Sequence, residues 1–533
     1  MNFVETKRNQ ITFFSYVAGI LLIWLFFNKT GNSAMAYLAI TMELFMVLWS
    51  VSGGAVADAV SKVLCSRNMK GQYKNASILR RNTLIVQGVM GALGSAVLFV
   101  FAQPIANHLL SVPYCVLLLR ILSPLVFLRT LSSILLGFFQ GEGTELLSCI
   151  TCIVRPMLIL ILGLMLGGSF TQYGEKVSRL LGQEQVLIMY NVSGIALAVT
   201  ISEVLIVCFL GIFYKCNRPS YKRQHMEGMK AKDSFMRSVQ ILYHNMGIKM
   251  LIKLLEILPF VIGMILFFRK SEGTVIATVA YGSFVVKYLA VCGLFILPLC
   301  AMVMPQQGKI TSRIRREEHR LARSIFQAGL HGVVIWALFF AVFVGCMSEA
   351  IAELFGKENL SEVIKMLRGG SFIILMVVTG YYFSQFLIML GKQTYVLCLL
   401  GIYNILFIIC TSFMLSKGLG IVSLVYAGLI GQIIYVMLLG FFAFRHLRMG
   451  IKSLYMVAVP IVGASIAGII NLLLGKLLVK FAGNVASIGI CLILSFACYL
   501  LIILFLRNIK EQDMEYMPGV KIFTYFGNMW NLL

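Results

Sequence analysis

Fourteen apolar runs of about 20 residues, separated by short polar loops, leave this sequence few ways to fold. Inside hydrocarbon no water reaches backbone N–H and C=O groups, so only helices or closed barrels cross a bilayer. The runs do not alternate polar with apolar residues, which excludes the strands of a barrel. The chain therefore reads as an all-α polytopic membrane protein with spans near 11–27, 34–57, 83–103, 115–139, 148–167, 188–214, 239–268, 274–304, 324–347, 363–389, 394–415, 420–444, 454–475 and 484–506. Only 12% of its residues are charged, about half the soluble average, so no water-facing globular domain is expected.

Three loops orient these spans. Lys62–Arg81, Lys215–Arg237 and Lys309–Arg323 hold 19 of the 45 Lys and Arg residues, and such loops stay in the cytoplasm. An even span count puts both termini there. The segments on that side then hold 28 Lys and Arg residues against 11 in the outer loops and the outer end of the tenth span. The net charge of +24 follows from topology and needs no nucleic-acid partner. The first run follows Lys7 and Arg8 but lacks a small-x-small cleavage site, so a retained helix is expected. Outer stretches 168–187 and 348–365 are polar enough for short surface helices. The tail after Arg507 mixes Lys510 and Lys521 with Phe523, Tyr525, Phe526 and Trp530, an interfacial pattern. Cys149 and Cys152 form a C-x-x-C without a second pair or nearby His, and read as helix-packing residues.

The sequence repeats. Ser61-Lys62, a basic loop, Arg80-Arg81, an apolar span and Pro104–Leu110 are echoed by Pro305, a basic loop, Arg320 and Arg323, an apolar span and Ala350–Phe355. The offset is six spans, and an even offset makes the repeats parallel. The expected organisation is an N-lobe over 1–214, a basic cytoplasmic linker over 215–238, a C-lobe over 239–444, two further helices within 445–506 and a tail over 507–533. Two six-helix lobes facing a central cavity are a transporter pattern.

Charges inside spans are costly and need a reason. Arg120, Arg129, Arg155, Lys249, Lys253 and Lys287 outnumber Glu43, Glu203 and Glu256, as expected of an anion-binding cavity. Asn245, Lys249, Lys253 and Glu256 are spaced 4, 4 and 3, one face of span 7. That face reads either as a wet lumen or, through a Lys253–Glu256 pair, as a bundle seal. Arg129, Ser133 and Gln140 share a face of span 4 that runs to the cytoplasmic mouth, while Arg120 lies near the outer end. Arg155 and Lys287 read as cavity residues or as buried partners of Glu43 or Glu203. The candidate substrate-binding set is therefore Arg129, Arg155, Lys249, Lys253, Lys287, Asn245 and Gln140, with Glu43, Glu203 and Glu256 as coupling or structural acids. Planar arginine forks match the oxygens of an anionic group, and lysines add mobile point charges. Gly91-x-x-Gly94 and Gly369-Gly370 read as close helix contacts. No Walker motif, metal cluster or nucleophile–base arrangement stands out, so neither a cofactor nor catalysis is expected.

Ala57-Asp58-Ala59-Val60-Ser61-Lys62, Gly71, Tyr73, Ile78-Leu79-Arg80-Arg81 and Gly137-Phe138-Phe139-Gln140-Gly141 resemble the polysaccharide-exporter and spore-stage-V-B branch of the multidrug/oligosaccharidyl-lipid/polysaccharide exporter superfamily. The resemblance covers roughly residues 10–510. It implies two lobes rocking around a cavity in a bacterial plasma membrane. The implied cargo is a polyprenyl-diphosphate-linked saccharide moved from the inner to the outer leaflet, with spans 13 and 14 beside its tail. Membrane lipids and glycan polymerases or glycosyltransferases are the implied partners. Relatives that flip the peptidoglycan precursor carry arginines in the first span, whereas Ile11–Phe27 has no charge. An ion-coupled multidrug exporter and a non-transporting scaffold for glycan assembly stay open as alternatives.

Overall fold

A computed structural model describes residues 3–227, 233–271, 274–356, 358–447, 455–506, 517–519 and 524–525. The described residues are helical apart from short connections and contain no strand. In chain order the helices are α1 (Phe3–Thr30), α2 (Asn32–Ser52), α3 (Val56–Met69), α4 (Tyr73–Val100), α5 (Ala102–Pro104), α6 (Cys115–Gly141), α7 (Leu146–Leu181), α8 (Glu184–Glu227) and α9 (Phe235–Lys270). There follow α10 (Val275–Ser283), α11 (Ala290–Arg315), α12 (His319–Cys346), α13 (Ser348–Leu354), α14 (Leu360–Gly370), α15 (Ile373–Met389), α16 (Gln393–Ser416), α17 (Val422–Leu447) and α18 (Tyr455–Phe505). π-helical turns occupy Ile105–Leu109 and Phe284–Leu289.

Among the described residues twelve helices are long and apolar enough to cross a membrane. A thirteenth crossing is the α14–α15 pair, bent by 44°, and Phe14–Thr30 of α1 is a shorter apolar helix. Each of the fourteen predicted spans falls on one of these. α18 comprises two of them, because Gly483 sits at φ 74° and ψ 169° between Val457–Phe481 and Gly483–Phe505. A side chain would be strained at that backbone angle, so the break needs glycine.

Two expectations need correction. No separate surface helix forms over 168–187: α7 runs unbroken to Leu181, Gly182 caps it in the left-handed conformation, and α8 starts at Glu184. The polar residues there are the protruding ends of two spans. The basic linker over 215–238 begins as helix, since α8 continues to Glu227 before Gly228 in the sequence. The stretch near 348–365 does form short helices, α13 and the start of α14. Apart from Tyr525, the residues named in the aromatic tail lie outside the described residues.

The chain packs as two compact units, Met1–Gly282 and Ser283–Leu533. In the first, α6 is the hub, touching α2, α3, α4 and α8. α9 also packs here, against α2, α3 and α4, so packing joins span 7 to the first unit while the sequence repeat counts it with the second. Lipid tails are as apolar as leucine, so association rests on close packing and interhelical hydrogen bonds. The α3–α6 seam shows the first: a Cβ on Gly137 would stand 2.9 Å from the Ala57 Cα, and one on Gly141 2.7 Å from the Leu64 Cβ. Gly91 and Gly94 of α4 face Thr130 and Val126 of α6 in the same way.

In the second unit α12 is buried along most of its length against α11, α15 and α18. The Tyr382 hydroxyl donates to the Phe326 carbonyl at 2.9 Å, and the Tyr499 hydroxyl donates to the Ile335 carbonyl at 2.8 Å. Tyr499 also stacks on Phe339. Each hydroxyl thus finds an acceptor inside an apolar bundle, as burial demands.

Candidate functional site

α6, α7 and α8 converge on one polar cluster in the first unit. Glu203 of α8, only 2% exposed, accepts at Oε2 from Arg129 Nη1 (3.0 Å) and Arg155 Nε (2.9 Å). Its Oε1 accepts from Arg155 Nη2 (3.2 Å) and the Ser132 hydroxyl. Arg155 therefore grips the carboxylate with two N–H groups, and Arg129 contributes one. The other donors of the Arg129 guanidinium, four of five, have no hydrogen-bond partner among the described residues. That guanidinium lies 5.7 Å from the centre of the Trp49 ring, a cation–π distance. The cluster lines a cavity of about 160 Å³ with Met42, Met46, Leu125 and Ile159 among its apolar walls. Two guanidinium groups face one carboxylate, which leaves one positive charge in a low-dielectric recess.

The remaining candidates are dispersed. Gln140 donates to the Ser148 hydroxyl at 2.9 Å, tying α6 to α7. On α9, the Asn245 amide donates to the Ile241 carbonyl of its own helix. Asn245 also borders a cavity of about 350 Å³ with Lys62, Arg67, Lys70, Asp233 and Arg237. Lys249 is half-buried. Lys253 does not pair with Glu256; its ammonium donates to the carbonyl of Gly54, at the turn joining α2 to α3. Glu256 is exposed. Lys287 lies in the second unit, fully buried in the π-helical turn, and donates to the Glu358 carbonyl at 2.9 Å. Glu43 accepts from the Tyr281 hydroxyl at 2.6 Å, and its other oxygen is buried without a hydrogen bond. Tyr281→Phe should lower stability by about 1–3 kcal/mol by leaving that carboxyl unpaired, read as a lower melting temperature in detergent.

Sequence reasoning missed Ser132 and Trp49. Ser132 had a signal, since it stands three residues after Arg129 and so shares its helix face, but Ser133 drew the assignment. The Ser133 hydroxyl instead bonds the Arg129 carbonyl. Trp49 had no signal, because an aromatic residue in an apolar span is ordinary.

No family model matches the chain. It is 20% identical over 506 residues to the stage V sporulation protein B of Bacillus subtilis, covering 92% of both chains. Among solved structures, an inward-facing multidrug-resistance MATE family transporter of the MOP superfamily superposes with a TM-score of 0.64, at 12% identity over 83% of this chain and 94% of that one. The chain is thus similar to transporters of the multidrug/oligosaccharidyl-lipid/polysaccharide exporter (MOP) superfamily. A MOP transporter from Pyrococcus furiosus, described by the reversed polarity of its binding pocket, superposes with a TM-score of 0.58 at 13% identity over 83% of this chain and 96% of that one. This chain therefore has the fold of those transporters at 12–13% sequence identity.

Proposed function

We propose that this chain is a MOP superfamily flippase that moves a polyprenyl-diphosphate-linked saccharide from the inner to the outer leaflet, as a carrier rather than an enzyme, with both termini in the cytoplasm. The observation that supports this most is the Arg129–Arg155–Glu203 cluster. Glu203 neutralises one arginine and fixes both, and the remaining charge with its free N–H groups suits a diphosphate. The cation would draw the head group out of the leaflet while the tail stays in lipid. Rocking of the lobes would then release the head group on the far side.

The test is a proteoliposome assay with a labelled polyprenyl-diphosphate oligosaccharide, its outer exposure followed by an impermeant quencher. Arg129→Gln leaves the two-bond Arg155–Glu203 pair in place and removes the excess charge. It should lower the flipping rate by about ten- to a hundredfold at normal protein abundance, the worth of one charged hydrogen bond to the cargo. A wild-type rate equal to empty liposomes for several saccharides, with and without an imposed potential, overturns the proposal. An Arg129→Gln protein that flips as fast as wild type removes the cluster as the cargo site, whereas a wild type that does not flip leaves the non-transporting scaffold as the better reading.

The second reading, an ion-coupled exporter, rests on Glu43, whose buried and half-satisfied carboxyl suits proton or cation exchange. It requires that Glu43→Gln abolish efflux of cationic drugs.

A further inference from the structure

A third, larger cavity lies in the second unit beside α12, α13, α14 and the first half of α18. Its volume is about 940 Å³, and Val342, Met347, Phe372 and Leu472 supply much of its apolar wall. Asn471 of α18 lines it and is 1% exposed, yet neither its amide oxygen nor its amide nitrogen has a hydrogen-bond partner. Buried amides are rarely left so, because desolvation without a partner is unfavourable. This amide needs a ligand that brings a polar atom deep into an apolar space.

The rim is charged. Glu349 pairs with Arg368 at 2.7 Å, and Glu353 accepts from the Asn484 amide at 2.9 Å, so both nearby acids are engaged. Lys476 and Lys480 line the cavity, are exposed, and have no carboxylate within ion-pair distance among the described residues. Leu472, Lys476 and Lys480 are four residues apart and follow one stripe of the helix. The lysines lie about 7.5 and 13.5 Å along the axis from Asn471.

We propose that this cavity is a binding site for an anionic glycerophospholipid. Its phosphate sits at Lys476 and Lys480, an ester carbonyl or glycerol hydroxyl meets Asn471, and an acyl chain follows Leu472 and Val342. The buried amide separates this occupant from a polyprenyl phosphate, whose tail has no polar atom below its phosphate. By the loop charges, the site opens to the leaflet opposite the basic loops. It is independent of the arginine cluster and of the cargo proposed for it.

Native mass spectrometry of the full chain in detergent, titrated with phosphatidylglycerol and with phosphatidylcholine of the same acyl chains, tests this. Wild type should bind phosphatidylglycerol about tenfold more tightly. Lys476→Gln/Lys480→Gln, which touches only exposed side chains, should erase the preference. Asn471→Leu should raise the lipid-free melting temperature and weaken both lipids. Arg129→Gln should leave the preference intact. Equal binding of the two lipids by wild type overturns the proposal, as does a preference that survives loss of both lysines. So does displacement of phosphatidylglycerol by a polyprenyl phosphate at lower concentration.

Discussion

Glu203→Leu is expected to destabilise the protein by about 3–5 kcal/mol, the cost of stripping a buried charge network of its counter-ion. Glu203 is the single acceptor shared by Arg129 Nη1, by Arg155 Nε and Nη2, and by the Ser132 hydroxyl. Its removal leaves two guanidinium groups facing one another between α6, α7 and α8 without a negative charge in the cluster. The melting temperature in detergent and the amount of protein in membranes measure the effect. The informative companion is Arg129→Leu/Arg155→Leu/Glu203→Leu. A complete apolar replacement of a buried ion network is often neutral or stabilising. The triple variant should therefore recover near wild-type melting and still fail to flip. A Glu203→Leu protein that melts like wild type shows that the network contributes nothing to the fold. A triple variant that flips shows that the cluster does not handle cargo.

Gly137→Leu is the second large effect expected. Even a Cβ there would stand 2.9 Å from the Ala57 Cα and 3.0 Å from the Ala57 carbonyl oxygen, both backbone atoms that cannot rotate away. α3 and α6 would have to part, at a cost of about 3 kcal/mol, and the apolar cluster of Val60, Leu64, Ile134 and Phe138 would open with them. The melting temperature should drop sharply, and a cysteine at Ala57 should become accessible to membrane-permeant thiol reagents. Unchanged melting means the seam can repack without loss.

The fold was legible because a bilayer permits so little. Run length, lack of alternation and loop charge are each dictated by the solvent, and the helices fall where they predict, thirteen of them as crossings if the bent α14–α15 pair is one span. Helix ends were harder to read: nothing in a polar sequence such as that around 168–187 says whether it lies on the surface or extends a span into water. The site was only partly legible for a different reason. Sequence shows which charges sit at membrane depth, and it flagged Arg129, Arg155 and Glu203. It cannot show that all three meet across three helices, while Lys253 turns to a backbone carbonyl exposed by the α2–α3 turn and Lys287 to Glu358. Those two lysines satisfy carbonyls, which lack any sequence signature.

α6 carries two unrelated messages on two of its sides. Gly137 and Gly141 mesh with Ala57, Ser61 and Leu64 of α3. Arg129 and Ser132 look instead toward Glu203. One side of the helix is thus fixed by close backbone contact and the other by charge. Under the flippase proposal, a substitution in the recess would alter the choice of cargo and leave the α3–α6 seam closed.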